Sequence, residues 1–173
     1  YDAKGLLKTS IRNDNPIIFI EHKALYRIKG VVPEDDYTIP IGKAEVKRKG
    51  SDLTIIANSW MVLNALEAAE KLLKDGISCE IIDPRTLYPL DEETLIQSVK
   101  KTKLCMVVNE APAAGGWSGE VAAVVMENCF DDLKKPVKRL TGMRTGVPYD
   151  KDLERMVVPT VQNIIDNVRL LMK

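Results

Sequence analysis

Three short apolar runs, "LTIIA" (53–57), "CEIID" (79–83) and "CMVVN" (105–109), restrict this chain more than anything else in it. Each is continuous rather than alternating, and each has the length of one strand. That is the pattern of strands buried on both faces. Between them stand segments with helical spacing. In "SWMVLNALEAAEKLLKDG" the residues Val62, Ala65, Leu66, Ala69, Leu72 and Leu73 form one apolar stripe. Asn58 or Ser59 is placed to cap its start, and Gly76 stands where a left-handed terminator is wanted. Such alternation builds a mostly parallel sheet with helices on both faces. The expected fold is α/β, a three-layer αβα arrangement around an open sheet.

The remaining segments fit that plan. "KAEVKRKG" alternates, is rich in lysine and ends in Gly50, which suits an edge strand. After the turn "PRTLYPL", Asp91 caps a helix, with Leu90 and Leu95 at hydrophobic-staple spacing. "GGWSGEVAAVVMENCF" turns into a third helix with Ser118 as its cap, and "PVKRLT" is a short strand. "PTVQNIIDNVRLLMK" closes the chain as a helix, with Val161, Ile164, Ile165, Val168 and Leu171 on one face. Residues 43–173 therefore run β, β-α, β-α, β-α, β, α. Ahead of them, residues 1–21 read helix then strand: Ala3, Leu6, Leu7, Ser10 and Ile11 share a face, Asp2 caps, and Ile17–Ile20 reads as a buried strand. Residues 22–42 have no steady period and carry two prolines and two glycines, the composition of a linker. A chain that opens in mid-pattern at Tyr1 reads as a piece of a longer one, although a processed N-terminus would look the same.

Charge and composition exclude several classes. Lys plus Arg equals Asp plus Glu, 25 each, so no basic excess points to nucleic acid. No apolar run approaches the ~20 residues of a membrane helix, and the first residues lack a signal-peptide layout. Cys79, Cys105 and Cys129 are odd in number, far apart and set in apolar stretches. They read as buried thiols in a reducing cytoplasm rather than as a disulfide or zinc framework. With His22 the only histidine and no Ser or Cys in a nucleophile motif, few acid–base or covalent schemes survive.

An open α/β sheet binds ligands beyond the carboxyl ends of its strands, which directs attention to the turns "NSWM", "DPRTLYPLD" and "NEAPAAGGWSG". In the last, Gly115, Gly116 and Gly119 lead into a helix whose N-terminus could hold an anion; a turn that needs glycine for backbone reasons reads the same. The spacing is neither GxGxxG nor a P-loop. Trp117 reads as packing or contact surface. Asp83 and Arg85 read as an ion pair fixing a turn, with a catalytic arginine as the alternative. Glu92 and Glu93 suit the dipole of a first helical turn. At "SIRNDNP" the last carbonyls of the first helix, with the side-chain oxygens of Asn13, Asp14 and Asn15, suit a hard cation; an Asx-rich helix stop before Pro16 explains them equally.

The stretches "IRNDNPIIFIEHKALY", "YTIPIGKAEVKRKGSDLTIIA", "ALEAAEKLLKDGISCEIIDPRTLYPLDEETLIQSVKKT" and "PVKRLTG" together resemble the beta subunit of the thiamine-diphosphate-dependent 2-oxoacid dehydrogenases, the pyruvate, branched-chain and acetoin enzymes. The resemblance spans nearly the whole chain. It implies that residues 43–173 are a transketolase-C-like domain, residues 22–42 a linker, and residues 1–21 the tail of a preceding pyrimidine-binding domain. It also implies a parent that uses thiamine diphosphate and magnesium, with the cofactor-activating glutamate and the substrate histidine outside this chain. No residue here inherits a catalytic or cofactor-binding role, and the piece alone is expected to bind no cofactor and to be inactive. One site carries over: a potassium site at Ser10, Ile11, Asn13 and Asn15. Ser10 and Asn13 stand where the family often has Ala and Asp. "NEAPAAGGWSG" lacks the "EGWP" of pyruvate-type members, and "EHKALYRIKG" is nearer the acetoin or branched-chain types. The implied partners are an alpha subunit, a second beta subunit and the peripheral subunit-binding domain of a dihydrolipoyl acyltransferase, with neither nucleic acid nor membrane. A transketolase, a deoxyxylulose-phosphate synthase or a free-standing interaction module are the competing readings.

Overall fold

The computed structural model describes residues 1–173. Five strands form one sheet in the order β1-β3-β2-β4-β5: β1 (Glu45–Arg48), β2 (Leu53–Ala57), β3 (Cys79–Asp83), β4 (Cys105–Pro112) and β5 (Lys138–Gly142). β2 runs parallel to β3 and β4, and β4 parallel to β5. Only the edge strand β1 is antiparallel, with a register shift between Val46 and Arg48. An edge with lysines and an irregularity is one that resists pairing with another chain.

The three continuous runs are the three inner strands, and their residues alternate between two cores. Leu53, Ile55 and Ala57 of β2, with Cys79 and Ile81 of β3, face α2 (Trp60–Leu73) and α6 (Val161–Met172). Ile56 of β2, with Ile82, Cys105 and Val107, faces α3 (Glu92–Thr102) and α4 (Ser118–Cys129). A strand covered on both faces takes apolar residues at most positions, which is why these segments read as near-continuous runs rather than as alternation; Thr54, Glu80 and Asn109 are buried polar exceptions. The α/β, three-layer, mostly parallel reading holds.

Local signals fared unevenly. Asp91 caps α3, accepting the Thr94 N–H, and Gly76 takes φ +78 after α2. The α2 stripe is deeper than expected: Met61 and Ala68 are buried with Val62, Ala65, Ala69 and Leu72, while Leu73 is exposed. Three expected caps do not form. Tyr1 holds the N-cap of α1 (Asp2–Ile11), and Asp2, already helical, turns its carboxylate to Lys47 and Arg85. Ser59 sits at the N-cap of α2 but at φ +53, ψ −128, outside the extended region from which a cap side chain reaches back. Ser118 lies one residue inside α4, because Trp117 already has helical angles.

The expected strand over 17–20 is absent. Ile17, Ile18 and Ile20 lie outside any helix or strand with their side chains exposed. Strand-favouring residues need a neighbouring ladder, and no strand of this sheet runs beside them. The linker holds a short 3-10 turn, Lys23–Arg27. A further helix the pattern did not announce, α5 (Lys151–Val157), follows β5 and starts on the Asp150 cap.

Candidate functional site

Strand β2 is followed in space by β3 on one side and β4 on the other, so the winding of the sheet reverses between β2 and β4. The connections leaving these two strands part at their carboxyl ends, and from there a groove of about 640 Å³ runs between α2 and the segment of α5 (Lys151–Val157) and the start of α6. Trp60 stands on one wall, carried there by the turn after β2 in which Ser59 takes its positive φ. Glu110, near the carboxyl end of β4, and His22, from the linker, meet it: His22 Nε2 lies 3.2 Å from a Glu110 carboxylate oxygen, and its ring stacks on Trp60 with centroids 6.0 Å apart and planes 18° off parallel. Both side chains of the His22–Glu110 pair are about a third exposed. His22 Nδ1 accepts the Ala24 N–H, which holds the ring in place. The opposite wall comes from α5 and the start of α6, with Lys151, Arg155, Thr160 and Gln162.

The glycine turn before α4 is closed on its own backbone. Gly115 takes φ +70, and a Cβ on Gly116 would land on the Pro112 carbonyl oxygen. The glycines serve the chain path, one of the two readings the sequence left open. Trp117 is packed against the α3/α4 core, with its Nε1, like Ser118 Oγ, buried without a hydrogen-bond partner.

Asp83 and Arg85 do not form the expected ion pair. Asp83 Oδ1 accepts the Arg85 backbone N–H at 2.9 Å, and burial pushes its carboxyl above the usual range. The Arg85 guanidinium instead bridges Asp2 at 2.7 Å and Glu45 at 2.6 Å, and Lys47 pairs with the same two carboxylates. Burial alone would raise Asp2, but Lys47 and Arg85 outweigh it and hold the carboxyl below its usual range. This four-charge cluster ties α1 to the β1 edge.

Ser10, Ile11, Asn13 and Asn15 lie together where α1 ends, all at least partly exposed. Ser10 Oγ donates to the Leu6 carbonyl, and Asn13 Oδ1 accepts the Asn15 N–H at 2.9 Å and its Nδ2 at 3.1 Å. No group of three or more His, Cys, Asp or Glu side chains is placed to hold a metal ion. What the segment offers is backbone carbonyl, amide and, from Asp14, carboxylate oxygen, the donor type of a hard cation.

The stretch of residues 76–99 carries a buried polar chain. Glu80, 3% exposed, accepts from Ser98 Oγ at 2.5 Å, from the Gly50 N–H at 3.2 Å and from Lys101. Ser98 and Thr102 each lie 2.7 Å from the Thr54 hydroxyl. These contacts join β2, β3 and α3, and they leave no group free for chemistry.

The transketolase C-terminal domain family matches residues 42–164. The chain is 50% identical over 157 residues to 2-oxoisovalerate dehydrogenase subunit beta of Bacillus subtilis (strain 168), covering 90% of this chain and 48% of that protein. It is 44% identical over 165 residues to acetoin:2,6-dichlorophenolindophenol oxidoreductase subunit beta of the same organism, covering 95% and 48%. Among solved structures it superposes on a split-gene transketolase, described as an inactive beta4 tetramer, with a TM-score of 0.66 at 25% identity, over 83% of this chain and 45% of that one. The chain spans about half the length of the curated relatives it matches.

Proposed function

Since the chain belongs to the transketolase C-terminal domain family, we propose that it is the C-terminal region of the beta subunit of a thiamine-diphosphate-dependent 2-oxoacid or acetoin dehydrogenase. The parent decarboxylates or cleaves its substrate oxidatively and passes the acyl group to lipoyl-lysine, in the cytoplasm. Thiamine diphosphate and magnesium supply the carbanion chemistry there, and no residue of this chain takes a step in it. Residues 43–173 form the rigid domain, residues 22–42 the linker, and residues 1–21 the tail of the pyrimidine-binding domain. Its role is assembly: holding the alpha subunit and a second beta subunit, and docking the peripheral subunit-binding domain of the acyltransferase. Carbonyl oxygens of Ser10, Ile11 and Asn13, with Asn15, hold potassium.

The observation that carries this reading is a set of exposed apolar side chains next to a closed core. Ile18, Ile20, Tyr26, Ile28 and Val31 are all more than half exposed, as are Met143, Val147, Tyr149, Leu153 and Met156 on the segment around α5. Scattered apolar residues on a surface are ordinary, but runs of them mark contact surface. Exposed apolar runs of this kind suit protein partners.

The test is affinity purification of the natural protein that contains this sequence. A co-purifying dehydrogenase alpha subunit and dihydrolipoyl acyltransferase are expected; a purified protein without either overturns the reading. The chain alone, given thiamine diphosphate and magnesium, is expected to give no dye-coupled oxidation, and turnover would overturn the assignment of a purely assembling role.

A further inference from the structure

We propose that the groove between the carboxyl ends of β2 and β4 is a binding site for a small anion with a flat ring, an aromatic or heteroaromatic group bearing a carboxylate or phosphate. The position is the first argument. A reversal of strand order parts the connections on either side, and the crevice left there is where open α/β sheets take ligands. Its volume of about 640 Å³ lies within the range of small-molecule sites.

The walls define the chemistry. Trp60 and His22 present two near-parallel rings, brought together from the first turn of α2 and from the linker. Trp60 is placed by Ser59, a non-glycine residue at φ +53 whose side chain makes no capping bond in return. Backbone held in such a sparsely populated conformation is a feature of ligand sites. Of the cations on the groove, Lys71 is engaged by Glu67 and Arg155 by Asp152, which leaves Lys151 for a ligand. The lining also carries two carboxylates, Glu110, which lies 3.2 Å from His22 Nε2, and Glu154 on α5, against the three cations Lys71, Lys151 and Arg155. The turn from β2 into α2, Asn58-Ser59-Trp60, has no glycine, so a diphosphate has no close approach to the backbone there. That excludes a dinucleotide and keeps the ligand to a ring with one anionic group.

The chain has two tryptophans, so Trp117→Phe leaves Trp60 as the only reporter. Adenosine 5′-monophosphate and benzoate, each titrated against that variant, are expected to change Trp60 emission saturably, with inorganic phosphate giving no change at the same concentration. Lys151→Glu, at the exposed first residue of α5, is expected to weaken binding of either probe about tenfold or more. His22→Ala is expected to weaken it with the far-ultraviolet circular dichroism unchanged. Emission that stays linear with both probes up to about 10 mM overturns the proposal. So does a saturable change that inorganic phosphate reproduces, or one indifferent to both substitutions.

Discussion

The backbone N–H of Ala44 donates to Asp91 Oδ2 at 3.0 Å, across 47 residues of sequence. The same carboxylate caps α3 through the Thr94 N–H and receives the Thr94 hydroxyl. Asp91 is therefore both a helix cap and the anchor of the segment leading into β1. Asp91→Ala removes the cap, at about 0.5–2 kcal/mol, and leaves the Ala44 N–H without its acceptor, at about 1–3 kcal/mol. A loss of roughly 3 kcal/mol is expected in urea unfolding. Burial by itself would raise the Asp91 pKa, but the Ala44 and Thr94 donors outweigh it and hold the carboxyl low. Its contribution is thus present above the ordinary aspartate pKa and lost as the pH falls through the lower, folded value. Stability measured from pH 7 down to pH 3 should fall less steeply in Asp91→Ala than in the parent.

Glu80 is the charged end of the buried hydroxyl chain. Glu80→Ala leaves the buried Ser98 hydroxyl without its acceptor, while the half-exposed Lys101 returns to water, and is expected to cost about 1–3 kcal/mol. Thr54→Val removes the middle hydroxyl and should cost about 1–3 kcal/mol. In a double-mutant cycle of Thr54→Val with Ser98→Ala, the two losses should fall short of adding, since the hydroxyls share one bond. Simple additivity would mean that the chain is not a connected network.

Two glycines should respond oppositely to alanine. A Cβ on Gly50 would meet the Cys79 backbone, whereas one on Gly30 would meet nothing within 4 Å. Gly50→Ala is expected to destabilise by about 1–3 kcal/mol. Gly30→Ala should be neutral or stabilise by up to about 1 kcal/mol. Thermal midpoints of the pair decide the point.

All three thiols are buried, and burial pushes each upward, Cys79 to about 11. The reactive species is the thiolate. At pH 8 a disulfide reagent should titrate no thiol quickly in the native chain and all three in denaturant. A fast native thiol would contradict the packing around it.

Potassium at the end of α1 should appear as linkage. A cation that binds only the folded form raises stability by about 0.4 kcal/mol when its concentration equals Kd, and by more above that. The thermal midpoint is expected to rise in potassium chloride relative to choline chloride at equal ionic strength, and to lose that difference in Asn15→Ala. Equal midpoints in the two salts would remove the cation from this segment.

The inner strands were legible because burial on both faces leaves mostly apolar residues, with Thr54, Glu80 and Asn109 as the buried polar exceptions. The residues 17–20 wrote a similar run and misled, since strand propensity does not say whether a partner strand is present. Helix α5 was missed because Leu153 and Met156 are exposed and give no buried stripe; its start depends on one cap, Asp150. Both groove turns, "NSWM" and "NEAPAAGGWSG", were marked by their place after strands. That His22 would join them was not legible, because it reaches Glu110 across 88 residues. The Arg85 pairing failed for a similar reason: proximity in sequence favoured Asp83, while α1 delivered Asp2.

Helix α1 lies on residues from the far end of the linker and beyond it. Gly5, lacking a side chain, lets the helix backbone settle on Ile39, whose N–H donates to the Gly5 carbonyl at 3.3 Å. Tyr1 stacks on Tyr37 at 4.7 Å, and Asp2 joins Lys47 and Arg85. A protease that nicks the exposed backbone near Arg27 should therefore yield two peptides that travel as one species on a native gel and separate only under denaturing conditions, because covalent continuity through the connector is not what keeps the first helix in place.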